Sequence, residues 1–277
     1  MAASYRDTVA VIQFPGVNCE LETAAAARAA GMKAGLFRWN DDPNLLEEAA
    51  AVILPGGFSY QDRIRAGVVA AKDSIIDKLS ELASAGRPVL GICNGAQVLV
   101  ESGLIPGLSW ESVDLALAPN VMADREGYYC NWTHLRCEGA SCVWTSGIEP
   151  AEVVPVPIAH AEGRFTTDDE EVLDRMRGNG QIVLRYCTAS GKIDGSFPVN
   201  PNGSVDNIAG VCSPSGNVLA MMPHPERASW LRQVPEDIPG PWGKRRRAAA
   251  GDRERMEERG PGRMFFESLA AAREVTR

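Results

Sequence analysis

Three short stretches carry residue types that can do chemistry together. The first is "GICNGAQ" (91–97), where an apolar run stops at Cys93 and a glycine-containing turn opens a new apolar pattern. A strand that runs through such a corner into a helix holds its side chain at the carboxyl edge of a sheet, the layout of a nucleophile elbow. The helix N-terminus there favours a thiolate over a thiol. The backbone N–H of Asn94 is uncommitted in the first helical turn and points to where an oxyanion would form. Gly91 and Gly95 have no Cβ, so the turn can be tight and a substrate can come close.

The second stretch is "MMPHPER" (221–227). Pro223 and Pro225 restrict the backbone around His224 and end the preceding strand, which fixes an imidazole at a sheet edge. Glu226, two residues on, can accept a bond from the distal ring nitrogen. A thiol, a base and a carboxylate that orients the base make a cysteine triad. The third stretch is "LPGGFSY" (54–60), whose turn frees backbone amides at Gly57 and Phe58 as a second oxyanion donor. Each stretch has a plainer reading: a core cysteine, a solvated histidine, an ordinary turn.

Elements that would position these residues are legible in the patterning. "TVAVIQF" (8–14), "KAGLFRW" (33–39), "AVIL" (51–54) and "PVLGI" (88–92) read as short strands. Between them, 19–31 closes on Gly31 as a helix, a short helix precedes "AVIL", and 70–86 carries Ile75, Ile76, Leu79 and Leu82 at helical spacing. A helix at 94–103 follows Cys93. This alternation predicts an α/β fold: an open, mostly parallel sheet with helices on both faces. The second half is richer in strands. "VDLALAPN", 129–137, "VWTSGI", "AEVVPVPIA", "QIVLRYC", "IAGVCSP" and "NVLAMMP" are candidates, some extending the sheet and some forming an antiparallel edge. The chain reads as one domain over 1–277. Residues 235–262, rich in Pro, Gly and charge, read as an exposed loop or partly disordered insertion, with "KRRR" (244–247) as a docking patch in a sharper version. A final amphipathic helix is expected over 263–275.

Bulk properties exclude several classes. A net charge of −8 disfavours a general nucleic-acid binder. No apolar window is long enough for a membrane span, and no signal peptide is visible, so a cytoplasmic protein is expected. Seven scattered cysteines suit reduced thiols better than a disulfide framework. Cys130, His134, Cys137 and Cys142 lack zinc-site spacing, and a strand there would spread them over two faces, so no metal is expected. Neither common Gly-rich phosphate loop occurs, so the chain should bind no ATP or other cofactor.

"GICNGAQ" with a downstream "HPE" resembles the class I glutamine amidotransferases. "VAVIQFPGVNCELETAAA", "LPGGFSYQDRIRAG", "PIAHAEGRF" and "MMPHPER" are similar to the branch of that family serving purine biosynthesis. The likeness runs from about Val9 to Arg227 and resumes in the closing helix. It implies the flavodoxin-like fold of that family and roles for matching positions. Cys93 would attack the carboxamide carbon of L-glutamine, His224 would shuttle protons, and Glu226 would orient it. Gly57 or Phe58 with Asn94 would bind the oxyanion. Gln97 and Gly56 would contact substrate, and His160 and Glu162 would stand behind the site or at an interface. The resemblance also implies partners: a large synthetase subunit, using ATP and Mg to turn formylglycinamide ribonucleotide into formylglycinamidine ribonucleotide, and a small accessory subunit. Gln61 and Ala161 stand where the family usually has glycine. Competing readings are the glutaminase of another pathway, a non-catalytic relative on the same fold, and a redox-sensing thiol on a similar elbow.

Overall fold

A computed structural model describes residues 5–109, 113–139 and 142–275, and the side chains to 273. Eleven strands occur: β1 (Thr8–Gln13), β2 (Lys33–Arg38), β3 (Ala51–Leu54), β4 (Val89–Ile92), β5 (Ala116–Ala118), β6 (Tyr129–Cys137), β7 (Val153–His160), β8 (Arg164–Thr166), β9 (Ile182–Cys187), β10 (Ile208–Cys212) and β11 (Val218–Met221). The helices are α1 (Glu20–Ala29), α2 (Ile75–Ser84), α3 (Asn94–Glu101), α4 (Glu170–Gly178), α5 (Pro241–Ala248), α6 (Arg253–Met256) and α7 (Arg263–Val275). Nine strands make one sheet in the order β2-β1-β3-β4-β11-β10-β9-β6-β7, and β5 pairs with β8.

From β2 to β11 the sheet is parallel, as the alternating pattern requires. Every residue of "AVIL", "VLGI" and "VLAM" is buried, because helices cover both faces of these central strands. The antiparallel part is wider than an edge: β10, β9, β6 and β7 all run antiparallel to their neighbours.

One local reading changes, and one helix had no reading. "VWTSGI" is a series of turns, closed by bonds from Thr145 N–H to Cys142 O and from Ile148 N–H to Thr145 O. Its strand-like composition serves packing instead: Trp144 is fully buried and its Nε1 donates to Asn217 O at 3.2 Å. Helix α4 has too polar a face for its few apolar residues to stand out. It is set by the Asp169 side chain, which accepts from Glu171 N–H at 2.8 Å.

The segment 235–262 is also not the exposed loop its composition suggests. It forms α5 and α6, and Ile238, Trp242 and Ala249 build a second small core with Leu231 and Val234. Three of its arginines are engaged within it. Arg245 stacks 4.6 Å over the Trp242 ring and pairs with Glu258, Arg246 pairs with Glu236 at 3.1 Å, and Arg247 donates to Glu236 O. The segment then returns to lie on the turn after His224. Gly260 and Gly262 donate to Ser229 O and Ala228 O, and a Cβ on Gly262 would stand 2.1 Å from Pro225 O. Gly262→Ala must displace that turn. Its urea midpoint is expected to drop by the equivalent of about 2 kcal/mol or more, whereas an unchanged midpoint would show that the contact is slack.

Candidate active site

Cys93 sits at the corner between β4 and α3 with φ 50° and ψ −106°. A non-glycine residue at such a φ stores roughly 1–3 kcal/mol of strain, held by its surroundings. The Cys93 N–H donates to Met221 O at 2.8 Å, which ties the corner to the neighbouring strand. The two glycines are steric requirements. A Cβ on Gly95 would lie 2.0 Å from Leu54 O, and one on Gly91 would lie 2.5 Å from Gly95 O. The helix therefore starts directly against the end of β3. The thiol is 5% exposed.

Residue Met221 is in register with Ile92, so β4 and β11 release Cys93 and His224 side by side. The His224 N–H donates to Pro157 O, and its ring Nδ1 lies 2.6 Å from Glu226 Oε1. Both side chains are buried, and Nε2 has no hydrogen-bond partner within the protein. Burial by itself would depress the imidazole. The Glu226 carboxylate, followed by the Cys93 and Cys19 sulfurs, outweighs it and holds the ring well above its ordinary pKa. The ring thus favours its charged form, with one nitrogen bound to a carboxylate and the other without a partner.

A second thiol at this site escapes sequence reading. Cys19 accepts from Arg227 Nη2 at 3.1 Å and donates to Asn18 Oδ1 at 3.2 Å. Burial pushes this thiol up, against the opposing pull of the neighbouring His224 imidazole. Among the described residues, Cys19, His224 and Glu226 are the only His, Cys, Asp or Glu group of three or more whose ligand atoms converge, within 4.8 Å of one another. Gly56 completes this packing: a Cβ there would meet His224 Cε1 at 2.7 Å and Cys19 Sγ at 3.1 Å. Cys19 lies inside the quoted "GVNCE", but no spacing links it to position 224.

The oxyanion candidates divide. Phe58 N–H donates to Gly16 O at 3.0 Å and is committed to the turn, which removes it as an anion donor in this conformation. Among the described residues neither Gly57 N–H nor Asn94 N–H makes a hydrogen bond. Gly57 has φ 141°, and a Cβ there would lie 2.6 Å from both Val17 Cα and Asn18 N, so only glycine fits.

Gly57, Phe58, Cys93, Gln97, His160 and Glu162 line one cavity with Asp62 and Tyr128. Gln97 Nε2 donates to Glu162 O at 2.6 Å, and Gln97 Oε1 accepts from Asn94 Nδ2 at 3.0 Å. The Asn94 amide also accepts from Ser59 N–H and donates to Asp62 Oδ1, fastening the 59–62 turn to the start of α3. Asp62 is pushed up to about 6 by burial and by the Glu162 charge, against the Asn94 bond. Tyr60, Gln61, Asp62 and Ile64 all have left-handed backbone, which explains a family glycine at 61. Ala161 has no such φ, so its methyl group brings no backbone strain. The cavity is about 60 Å³. A cleft of about 480 Å³ lies between residues 113–116 and 166–172, but neither Cys nor His lines it, so chemistry and not size marks the site.

A thiol at a strand–helix corner, with a carboxylate-bound imidazole on the adjacent parallel strand, defines a cysteine-nucleophile site on an open α/β sheet. The family described as the CobB/CobQ-like glutamine amidotransferase domain matches residues 6–253, and the chain belongs to it. It is 47% identical to phosphoribosylformylglycinamidine synthase subunit PurQ of Methanothrix thermoacetophila, over 94% of this chain and 96% of that one. Against the subunit of the same name from Pyrococcus furiosus the identity is 44%, over 79% and 88% of the two chains. In the solved structure of PurLQS from Thermotoga maritima, one chain superposes with a TM-score of 0.71 at 30% identity, covering 96% of this chain and 99% of that one. Among the described residues no helix is long and apolar enough to cross a membrane.

His160 is buried within this site, and burial, reinforced by the charge of His224, lowers its pKa to about 3. The unfolded chain binds a proton at 160 below about pH 6.5 and the native chain does not, so stability falls with pH by up to about 1.4 kcal/mol per unit in that window. His160→Asn removes this term. Its urea midpoint should decline less steeply than the wild type between about pH 6 and 4, and parallel declines would count against a buried neutral imidazole.

Proposed function

We propose that this chain is the glutaminase subunit of phosphoribosylformylglycinamidine synthase, acting as one domain. It hydrolyses L-glutamine and hands the ammonia to a large synthetase subunit, in a complex that includes a small accessory subunit. That partner uses ATP and Mg to convert formylglycinamide ribonucleotide to formylglycinamidine ribonucleotide, in the cytoplasm, while this chain binds no cofactor of its own. The observation that carries the reading is the Nδ1–Oε1 bond of 2.6 Å on a buried imidazole released beside Cys93. The PurQ relatives supply the pathway.

The chemistry follows from these atoms. His224 takes the thiol proton, and the sulfur attacks the carboxamide carbon. The N–H groups of Gly57 and Asn94 donate to the developing oxyanion. Collapse expels the amide nitrogen, which leaves as ammonia with the proton returned by His224. Water then attacks the thioester, His224 takes its proton and returns it to sulfur, and glutamate leaves. Glu226 keeps the ring in one tautomer and stabilises its charged form throughout.

A cavity of about 60 Å³ is far below the roughly 300 Å³ at which small-molecule sites begin. Glutamine therefore enters only if the strained 60–64 turn moves, and a partner docked there supplies the drive. The isolated chain should hydrolyse glutamine weakly, and fast turnover without partners would oppose this. In the assembled complex, Cys93→Ala should abolish glutamine-dependent synthesis yet leave synthesis from added ammonia. Persistent glutamine turnover in that variant would refute the nucleophile. Glu226→Gln should lower glutamine-dependent kcat by about 100-fold or more, and a loss under about threefold would remove the carboxylate from the triad.

A further inference from the structure

We propose that Asp62, Glu162 and Nε2 of His160 form a subsite for the α-ammonium group of the amide substrate, and that this contact selects amino acids over plain amides. The proposal deepens the glutaminase reading and rests on it. All three residues line the cavity that contains Cys93. No Lys or Arg side chain lines it, and Arg65, the nearest cation in sequence on the same turn, is held by Glu101 at 2.5 Å.

What these residues offer is acceptors. Asp62 has one donor, Asn94 Nδ2 at 3.2 Å, and is otherwise faced by the like charge of Glu162. The tautomer of His160 follows from its neighbour. Asn120 Nδ2 donates to His160 O at 2.8 Å and Gly127 O at 3.2 Å, while its Oδ1 accepts from Gly163 N–H at 3.1 Å. That fixes which end of the amide is oxygen. His160 Nδ1, 3.1 Å from this Oδ1, must carry the proton. Nε2 is then a bare lone pair, buried and without a partner. The depressed basicity of the ring keeps it bare at neutral pH.

Two carboxylates and an unmet lone pair on residues lining one small cavity are unfavourable alone. An ammonium group removes all three liabilities, because it is a cation with three N–H donors and no acceptor. The carboxamide end of the same molecule would lie toward Cys93.

The test uses the assembled synthase complex, with L-glutamine and with 4-carbamoylbutanoate, which is glutamine lacking its amino group. The unmodified complex is expected to show kcat/KM at least about 100-fold higher for glutamine, since a site built for a hydrogen-bonding group rejects an analogue without it. Asp62→Asn and Glu162→Gln should each raise the glutamine KM about tenfold or more, with kcat/KM for the des-amino amide held within about threefold. Equal use of both amides by the unmodified complex would overturn the proposal without any variant. Parallel losses for both amides in the variants, or an unchanged glutamine KM, would also overturn it. Hydrolysis of neither amide by the unmodified complex would overturn the glutaminase reading and this one together.

Discussion

Parallel pairing of Val89–Ile92 with Val218–Met221 brings together two loops that are distant in the chain. The bond from Cys93 N–H to Met221 O closes that pairing at the point where both strands leave the sheet. A one-residue slip would turn Cys93 or His224 to the opposite face. Register is set by burial on both sides, since no residue of either strand reaches solvent. The reactive geometry is therefore a by-product of core packing, and substitutions in the core would act on chemistry as well as on stability.

The site itself is unfavourable to the fold. Cys93 and the 60–64 turn hold left-handed backbone without glycine. Glu226 is fully buried against His224, so both are taken out of water. Ion pairs in such places gain little net stability, because desolvation offsets attraction. The surroundings offset these costs by close contact. Gly56, Gly57 and Gly95 let backbone and rings approach to distances that any side chain would forbid. Arg227, held by Glu22 at 2.7 Å, closes the far side over Cys19.

The parts that were legible in the sequence are those encoded locally. Cys93, His224 and Glu226 sit in short motifs where proline, glycine and apolar runs announce a corner. The parallel half of the sheet was legible because fully covered strands are unbroken apolar runs. Phe58 was misread because a freed amide and an amide recaptured by Gly16 O look alike in one dimension. Cys19, Asp62 and Asn120 were missed because their meaning depends on partners far along the chain. The charged 235–262 segment misled through composition, since each of its arginines named above meets an acid, a carbonyl or an aromatic ring within the same segment.

That segment changes how rigid the base is. The turn carrying His224 and Glu226 would be free on its outer side without Gly260, Gly262 and Arg263, which bond to Ala228 O and Ser229 O. On the cavity side the 59–62 turn is held by the Asn94 amide, by Tyr60 N–H on Pro15 O at 2.6 Å and by the Tyr60 hydroxyl on Asp73 at 2.8 Å. The two turns differ in kind: the one carrying the base is braced by a packed second core, while the 59–62 turn holds left-handed backbone under polar bonds and the packed Tyr60 ring. In the glutaminase reading the cavity would open on the side of the 57–62 turn, which lines it with Gly57, Phe58 and Asp62. On that reading the base would keep its place while the oxyanion turn moves, so admitting substrate and assembling the site would become the same event.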